Sequence, residues 1–235
     1  MKRLFNKRQA LPDLLSADDF YAPIDSLVDQ RLAARGFVKT KRATWVGEDC
    51  QSGRPMFVIR HYKGKVSAPV WGFSLNYVPH FNNSGTKLYW HRTIKSARLD
   101  VSPFDDLERE SDLNWFASPE DHSMVVDRDL AGALDRVNIF FESYRSTNDL
   151  LALFDRLRSY KGKGPGYWNY TNLPLAHSFT LRVTGDVEGG RRILNEFVRR
   201  SEISGSALSE LLRRFEDARA EPVLFQVNVR QESTV

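Results

Sequence analysis

The 235-residue chain carries 34 Lys and Arg against 30 Asp and Glu, and this net charge of +4 is too small to point to a partner. Its hydrophobic content of 41%, with 15 Phe, 8 Tyr and 5 Trp, supplies a real core and excludes a disordered chain. A single cysteine, Cys50, excludes an intramolecular disulfide and any cysteine-built metal centre.

The first residues, Met1-Lys2-Arg3-Leu4-Phe5-Asn6-Lys7-Arg8, are basic like the start of a signal peptide. The apolar run that should follow is cut short at Ala10-Leu11-Pro12 by Asp13. No window approaches the ~18 apolar residues of a membrane span. A cytoplasmic protein without a membrane partner is expected.

In chain order, Ser16 and Asp19 have capping-box spacing. Ile24, Leu27, Val28 and Leu32 then recur at helical intervals until Gly36. Four strands are expected next, over 37–46, 55–62, 69–78 and 86–93. The third is the clearest, with Trp71, Phe73, Leu75 and Tyr77 alternating with Gly72, Ser74 and Asn76. Asn82-Asn83-Ser84-Gly85 reads as a turn, and the short connections favour an antiparallel meander. The acidic stretch Asp105–Asp121 reads mostly as loop, pinned by Trp115 and Phe116.

Asp127 is the expected cap of a helix buried through Leu130, Ala133, Leu134, Val137 and Phe141. Ser146 and Asp149 cap the next, with Leu150, Leu153, Phe154 and Leu157 inward and Gly162 as its stop. Residues 160–172 read as a linker. Beyond it, Pro174 opens a helix, although the β-branched content of 178–184 leaves a strand open there. Two further helices follow, marked by Ile193, Leu194, Phe197 and Val198, and then by Leu208, Leu211, Leu212 and Phe215. Pro222–Arg230 alternates as a strand that should pair with the sheet. The expected class is therefore α+β: an antiparallel sheet of four to five strands packed by helices, with a C-terminal helical extension. The organisation is a sheet domain over 16–160 and a helical segment over 173–235, either separate or packed on the same core.

A helix running into Ala34-Arg35-Gly36-Phe37-Val38-Lys39-Thr40, strands Phe57-Val58-Ile59-Arg60 and Trp71-Gly72-Phe73-Ser74-Leu75-Asn76, and then Ile139-Phe140-Phe141-Glu142-Ser143-Tyr144-Arg145-Ser146-Thr147-Asn148-Asp149-Leu150-Leu151 occur in that order. Over roughly residues 20–160 this resembles a bacterial domain of unknown function, number 4304. The resemblance supports the fold reading and implies no catalytic residue or cofactor.

No local pattern carries chemistry. The five histidines, His61, His80, His91, His122 and His177, show no HxH, HExxH or i,i+4 spacing, so no metal site is expected. Glu48 and Asp49 beside Cys50 oppose a nucleophilic thiolate. Gly162-Lys163-Gly164-Pro165-Gly166 follows a helix, the wrong context for a phosphate loop. The carboxylates from Asp105 to Asp112 lack the spacing and glycine of an EF-hand.

What remains is a set of binding candidates. Arg60 and His61 belong to a basic run between Gln30 and Lys65, and His91 is the histidine to pair with His61 across neighbouring strands. Trp90 with Arg92 suits an interface hot spot, while sheet-core packing is its ordinary role. Lys161 and Lys163 supply charge beside the stacking surfaces of Tyr160, Tyr167, Trp168 and Tyr170. No cofactor is expected. The leading expectation is a non-enzymatic adaptor or inhibitory protein with a protein partner. Nucleic acid bound by the basic strands and linker aromatics is the second reading, and an enzyme or small-molecule binder with a site assembled from distant residues is the third.

Overall fold

The computed structural model describes residues 17–62, 66–81, 87–89, 93–103, 114–115, 119–160, 167–169, 173–201 and 203–219. Helix α1 (Ala17–Ala33) leads into strands β1 (Val38–Lys41), β2 (Thr44–Val46), β3 (Arg54–Tyr62) and β4 (Val66–Ser74). Short strands β5 (His80–Phe81), β6 (Leu88–Tyr89) and β7 (Asn114–Trp115) follow, then helices α2 (Pro119–Ser143) and α3 (Thr147–Ser159). Helices α4 (Leu173–Thr184), α5 (Val187–Arg200) and α6 (Gly205–Asp217) complete the described chain. The main sheet is antiparallel with order β1-β2-β3-β4-β7, and β5 pairs with β6 apart from it. The molecule is thus an α+β protein, and among the described residues no helix is long and apolar enough to cross a membrane.

Register explains the core. Trp45, Phe57 and Trp71 stand side by side on β2, β3 and β4, all nearly inaccessible to solvent. That row shares one apolar cluster with Ile24, Val28 and Leu32 of α1 and with Leu130, Val137 and Phe140 of α2. On the other face Val46 and Met56 pack against Ala97, with Ile94 and Leu99 beside them. Gly72 lies in the Met56 row, where residues 101–102 press against β4. A Cβ there would stand 1.9 Å from the Val101 carbonyl oxygen, so only glycine fits.

Several expected elements are corrected. The expected strand over 37–46 is a hairpin, because α1 grips its turn. Asp25 Oδ1 accepts the Ala43 N–H at 3.1 Å, and Asp29 accepts from the Trp45 indole. Lys39 Nζ lies 2.9 Å from Asp25 and 3.6 Å from Asp29. Burial opposes the charge on Lys39, yet these two carboxylates raise its pKa. Ala43 takes a left-handed conformation, φ 50, with none of the Gly or Asn residues that normally announce such a turn.

The described core of the expected fourth strand over 86–93, Leu88–Tyr89, does not extend the main sheet. After β4 the chain turns at Asn76-Tyr77, with the Val78 N–H donating to the Leu75 carbonyl, so Leu88–Tyr89 meets His80–Phe81 instead. The outer edge of β4 is taken by Val101 at Phe73 and by Asn114–Trp115 at Val66 and Ser67. Asp127 is not a cap: α2 starts eight residues earlier at Pro119, a residue suited to a helix start, and Asp127 pairs with Arg31 of α1. Residues 178–184 are helical. From Leu173 to Thr180 every residue of α4 is buried, so tertiary packing overrides local β propensity. Ser16, Asn82–Gly85, Gly162 and Pro222–Arg230 lie outside the described residues.

Candidate functional site

Among the described residues of the basic run from Gln30 to Lys65, six side chains are engaged within the protein. Arg31 pairs with Asp127, and Arg35 Nη1 donates to the Arg31 carbonyl at 2.9 Å. Lys39 is held by Asp25 and Asp29, and Lys41 donates to the Ala97 carbonyl at 3.4 Å. Arg42 lies 5.3 Å over the Tyr21 ring. Arg54, only 5% exposed, makes a bidentate contact to Asp49 at 2.6 and 3.0 Å. These charges tie strands to helices and loops.

Arg60 is half-buried on β3, and His61 is its neighbour there, paired with Ser67 across the strands. Trp90, His91, Arg92, Lys161 and Lys163 lie outside the described residues, so the His61–His91 pair does too. Trp168 is half-buried in a 3-10 turn, Tyr167–Asn169. One face of its indole is occupied by the Arg200 guanidinium, 4.5 Å from the ring centre. The Tyr167 ring meets it edge-on at 5.0 Å. Trp168 is thus anchored on α5 of this same chain.

Next to that anchor is a buried polar pair. The Tyr167 hydroxyl and His177 Nδ1 are 2.8 Å apart, and the imidazole stacks on Phe154 at 4.8 Å. Burial, reinforced by Arg158 and opposed by Asp186, lowers the His177 pKa to about 4. Burial likewise pushes the Tyr167 phenol up. At neutral pH both are uncharged. They are only 2% and 3% exposed, and their contact joins the 3-10 turn to α4.

Helix α5 offers a different surface. Its inward side is Gly189, Gly190, Ile193, Leu194 and Phe197. Asp186 caps it, accepting the Gly189 N–H at 2.9 Å. Gly190 allows a close approach to α4, since a Cβ there would meet the Ser178 carbonyl oxygen at 2.7 Å. The seated helix turns Glu188, Arg192, Asn195 and Arg199 directly away from the core, within roughly 60° of arc. With Arg191 they line an open depression of about 470 Å³.

The flanking arginines are matched. Arg191 reaches Glu216 of α6 at 2.8 Å, and Arg200 reaches Glu196 at 2.7 Å while covering Trp168. Arg192 and Arg199 have no ion-pair or hydrogen-bond partner among the described residues. The chemistry on offer is two exposed guanidinium forks on a rigid, well-anchored helix. The sequence does hold the signal for this site, in polar residues at 188, 192, 195 and 199 set opposite Ile193, Leu194 and Phe197. The spacing is easily passed over because the same residues mark an ordinary solvated helix face. Among the described residues, no group of three or more His, Cys, Asp or Glu is placed to hold a metal ion. The chain matches no protein-family model, no curated protein and no solved structure.

Proposed function

We propose that the protein is a non-enzymatic interaction protein that docks an acidic segment of a protein partner on the outer face of α5. The observation that carries this reading is the pair of unmatched arginines, Arg192 and Arg199, between neighbours that each have a carboxylate. Guanidinium groups favour planar carboxylates and keep their charge at any physiological pH. A protein partner is favoured over nucleic acid by the mixed sign of the face. The Glu188 side chain, 3.9 Å from Arg191 and 85% exposed in the same stripe, sets a carboxylate in the way of a run of phosphates. In the basic run of the sheet Arg31, Lys39 and Arg54 already have carboxylate partners, which lessens what it offers to a phosphate-binding track. A cytoplasmic setting belongs to this reading, since the one cysteine is an exposed free thiol suited to a reducing compartment.

The test is affinity capture from host lysate, with and without nuclease, using the wild-type chain and the double charge reversal R192E/R199E. Protein partners that survive nuclease on the wild type and disappear with the variant support the proposal. Partners retained equally by both chains, or lost on nuclease treatment, overturn it.

A further inference from the structure

We infer that the 3-10 turn Tyr167–Asn169 is an acid-released latch, held on α4 and α5 while His177 is neutral and let go when the imidazole takes up a proton. This inference is independent of the docking face on α5. It starts from a conflict between donors. In the closed turn the Tyr167 hydroxyl and His177 Nδ1 lie 2.8 Å apart with one hydrogen between them. Among the described residues that hydroxyl has no other hydrogen-bond partner. A protonated imidazole carries N–H at both nitrogens, so Nδ1 would have to donate. The hydroxyl hydrogen would then be turned into a site where Tyr167 is 3% exposed, with no acceptor there to take it among the described residues.

The surroundings add to that cost. The charged and titratable groups that face the ring are Tyr167 on the turn, Arg158 on α3 and Asp186 at the head of α5. Phe154 of α3 covers one face of the imidazole at 4.8 Å. Burial and the Arg158 charge oppose the proton, Asp186 favours it, and the balance holds the closed-state pKa at about 4. With the turn lifted, Nδ1 meets water and the pKa returns toward the ordinary 6.5. The equilibrium constant for opening therefore rises about tenfold for each unit of pH lost between 6.5 and 4, roughly 300-fold in all.

The turn can leave without α4. Its anchors are side chains, Tyr167 on His177 and Trp168 on Arg200. Helix α4 is held by other contacts that the turn does not share. Ser178 donates to the Gly190 carbonyl at 2.9 Å, Thr180 meets Tyr77 at 3.1 Å, and Phe179 packs edge-on against Phe215 at 5.5 Å. Acid therefore opens the turn as a local step, ahead of the helices behind it. Opening uncovers the stack of His177 on Phe154 and frees the face of Arg200 that Trp168 covers.

The experiment labels the full chain with fluorotryptophan and follows the fluorine resonance of Trp168, assigned with W168F, from neutral pH down to about 4. Far-UV circular dichroism at each pH reports whether the helices persist. The Trp168 resonance is expected to move in acid to the position of exposed fluorotryptophan while the helical signal holds. In H177Q its position should not depend on pH. Arg158 is exposed, so R158Q leaves the core untouched. Without that charge the closed imidazole accepts a proton more readily, and R158Q should keep the turn closed to a lower pH. A wild-type resonance that stays in place, or moves only as the helical signal collapses, overturns the latch. So does the same transition in H177Q, or an unshifted one in R158Q.

Discussion

His177 shows how a titratable residue becomes structural. Its imidazole is pressed flat on Phe154, 3° from parallel, with Tyr167 at its Nδ1. A proton added there would be desolvated and would face the Arg158 charge. The folded pKa of about 4 lies below the ordinary 6.5. Between these values the unfolded chain binds a proton that the fold refuses, so stability rises with pH across that window. The contribution is fully present above pH 6.5 and is lost as pH falls toward 4, at about 1.4 kcal/mol per unit and ~3 kcal/mol in all. In denaturant melts at several pH values, H177Q should lack this slope while the other acid-sensitive groups titrate as before. Parallel profiles for the two proteins would contradict it. Little of this was legible in the sequence, where five dispersed histidines give no hint that a tyrosine ten residues upstream meets one of them.

The elements divide by how local their causes are. Helix α3 was readable because its start is written in adjacent residues: the Ser146 hydroxyl accepts the Asp149 N–H at 3.2 Å, and Asp149 accepts the Ser146 N–H at 2.8 Å. Hydrogen bonds from Ser146 accordingly hold the Asp149 carboxyl below the usual carboxylate range. Ser146→Ala should cost about 1 kcal/mol, measured as a shift in denaturation midpoint with an unchanged slope. Strands β3 and β4 were readable for a similar reason, their two-residue alternation. The break between β1 and β2 was not, since Asp25, 18 residues away, holds a turn that its own residues do not encode. The start of α2 was missed because Glu120 and Asp121, which follow Pro119, read as the end of the acidic stretch that begins at Asp105. The candidate site followed the same pattern. Arg60, His61 and Trp168 stood out by composition, whereas Arg192 and Arg199 matter only once their neighbours are known to be matched.

At the scale of the molecule, the two ends of the described chain share one core. A single cluster runs from Ile24 of α1 through Trp71 and Phe154 to Phe179, Leu211 and Phe215 in the C-terminal helices. Tyr77, beyond β4, meets Thr180 of α4 at 3.1 Å, so polar contacts also join the halves. Thermal unfolding should therefore be one transition, with calorimetric and van't Hoff enthalpies equal. Two separated transitions would show that the C-terminal helices are independent of the sheet. Where the sequence could not choose between a separate and a shared core, the reason is physical: Leu173, Leu175, Ala176 and Phe179 of α4 would be buried in either arrangement.

The grip of Asp25 and Asp29 on the β1–β2 hairpin also bears on time. Those carboxylates reach partners only 18 and 16 residues further along, so the corner closes a short loop. The α4 contact to Tyr77, by contrast, spans 103 residues. A chain emerging from the ribosome holds everything the corner needs long before α4 exists. In pulse-labelling refolding experiments the Ala43 amide should gain protection ahead of the Leu75 amide, which waits for Asp100. The first corner of the molecule to become native is then one that lies far in sequence from the C-terminal helices.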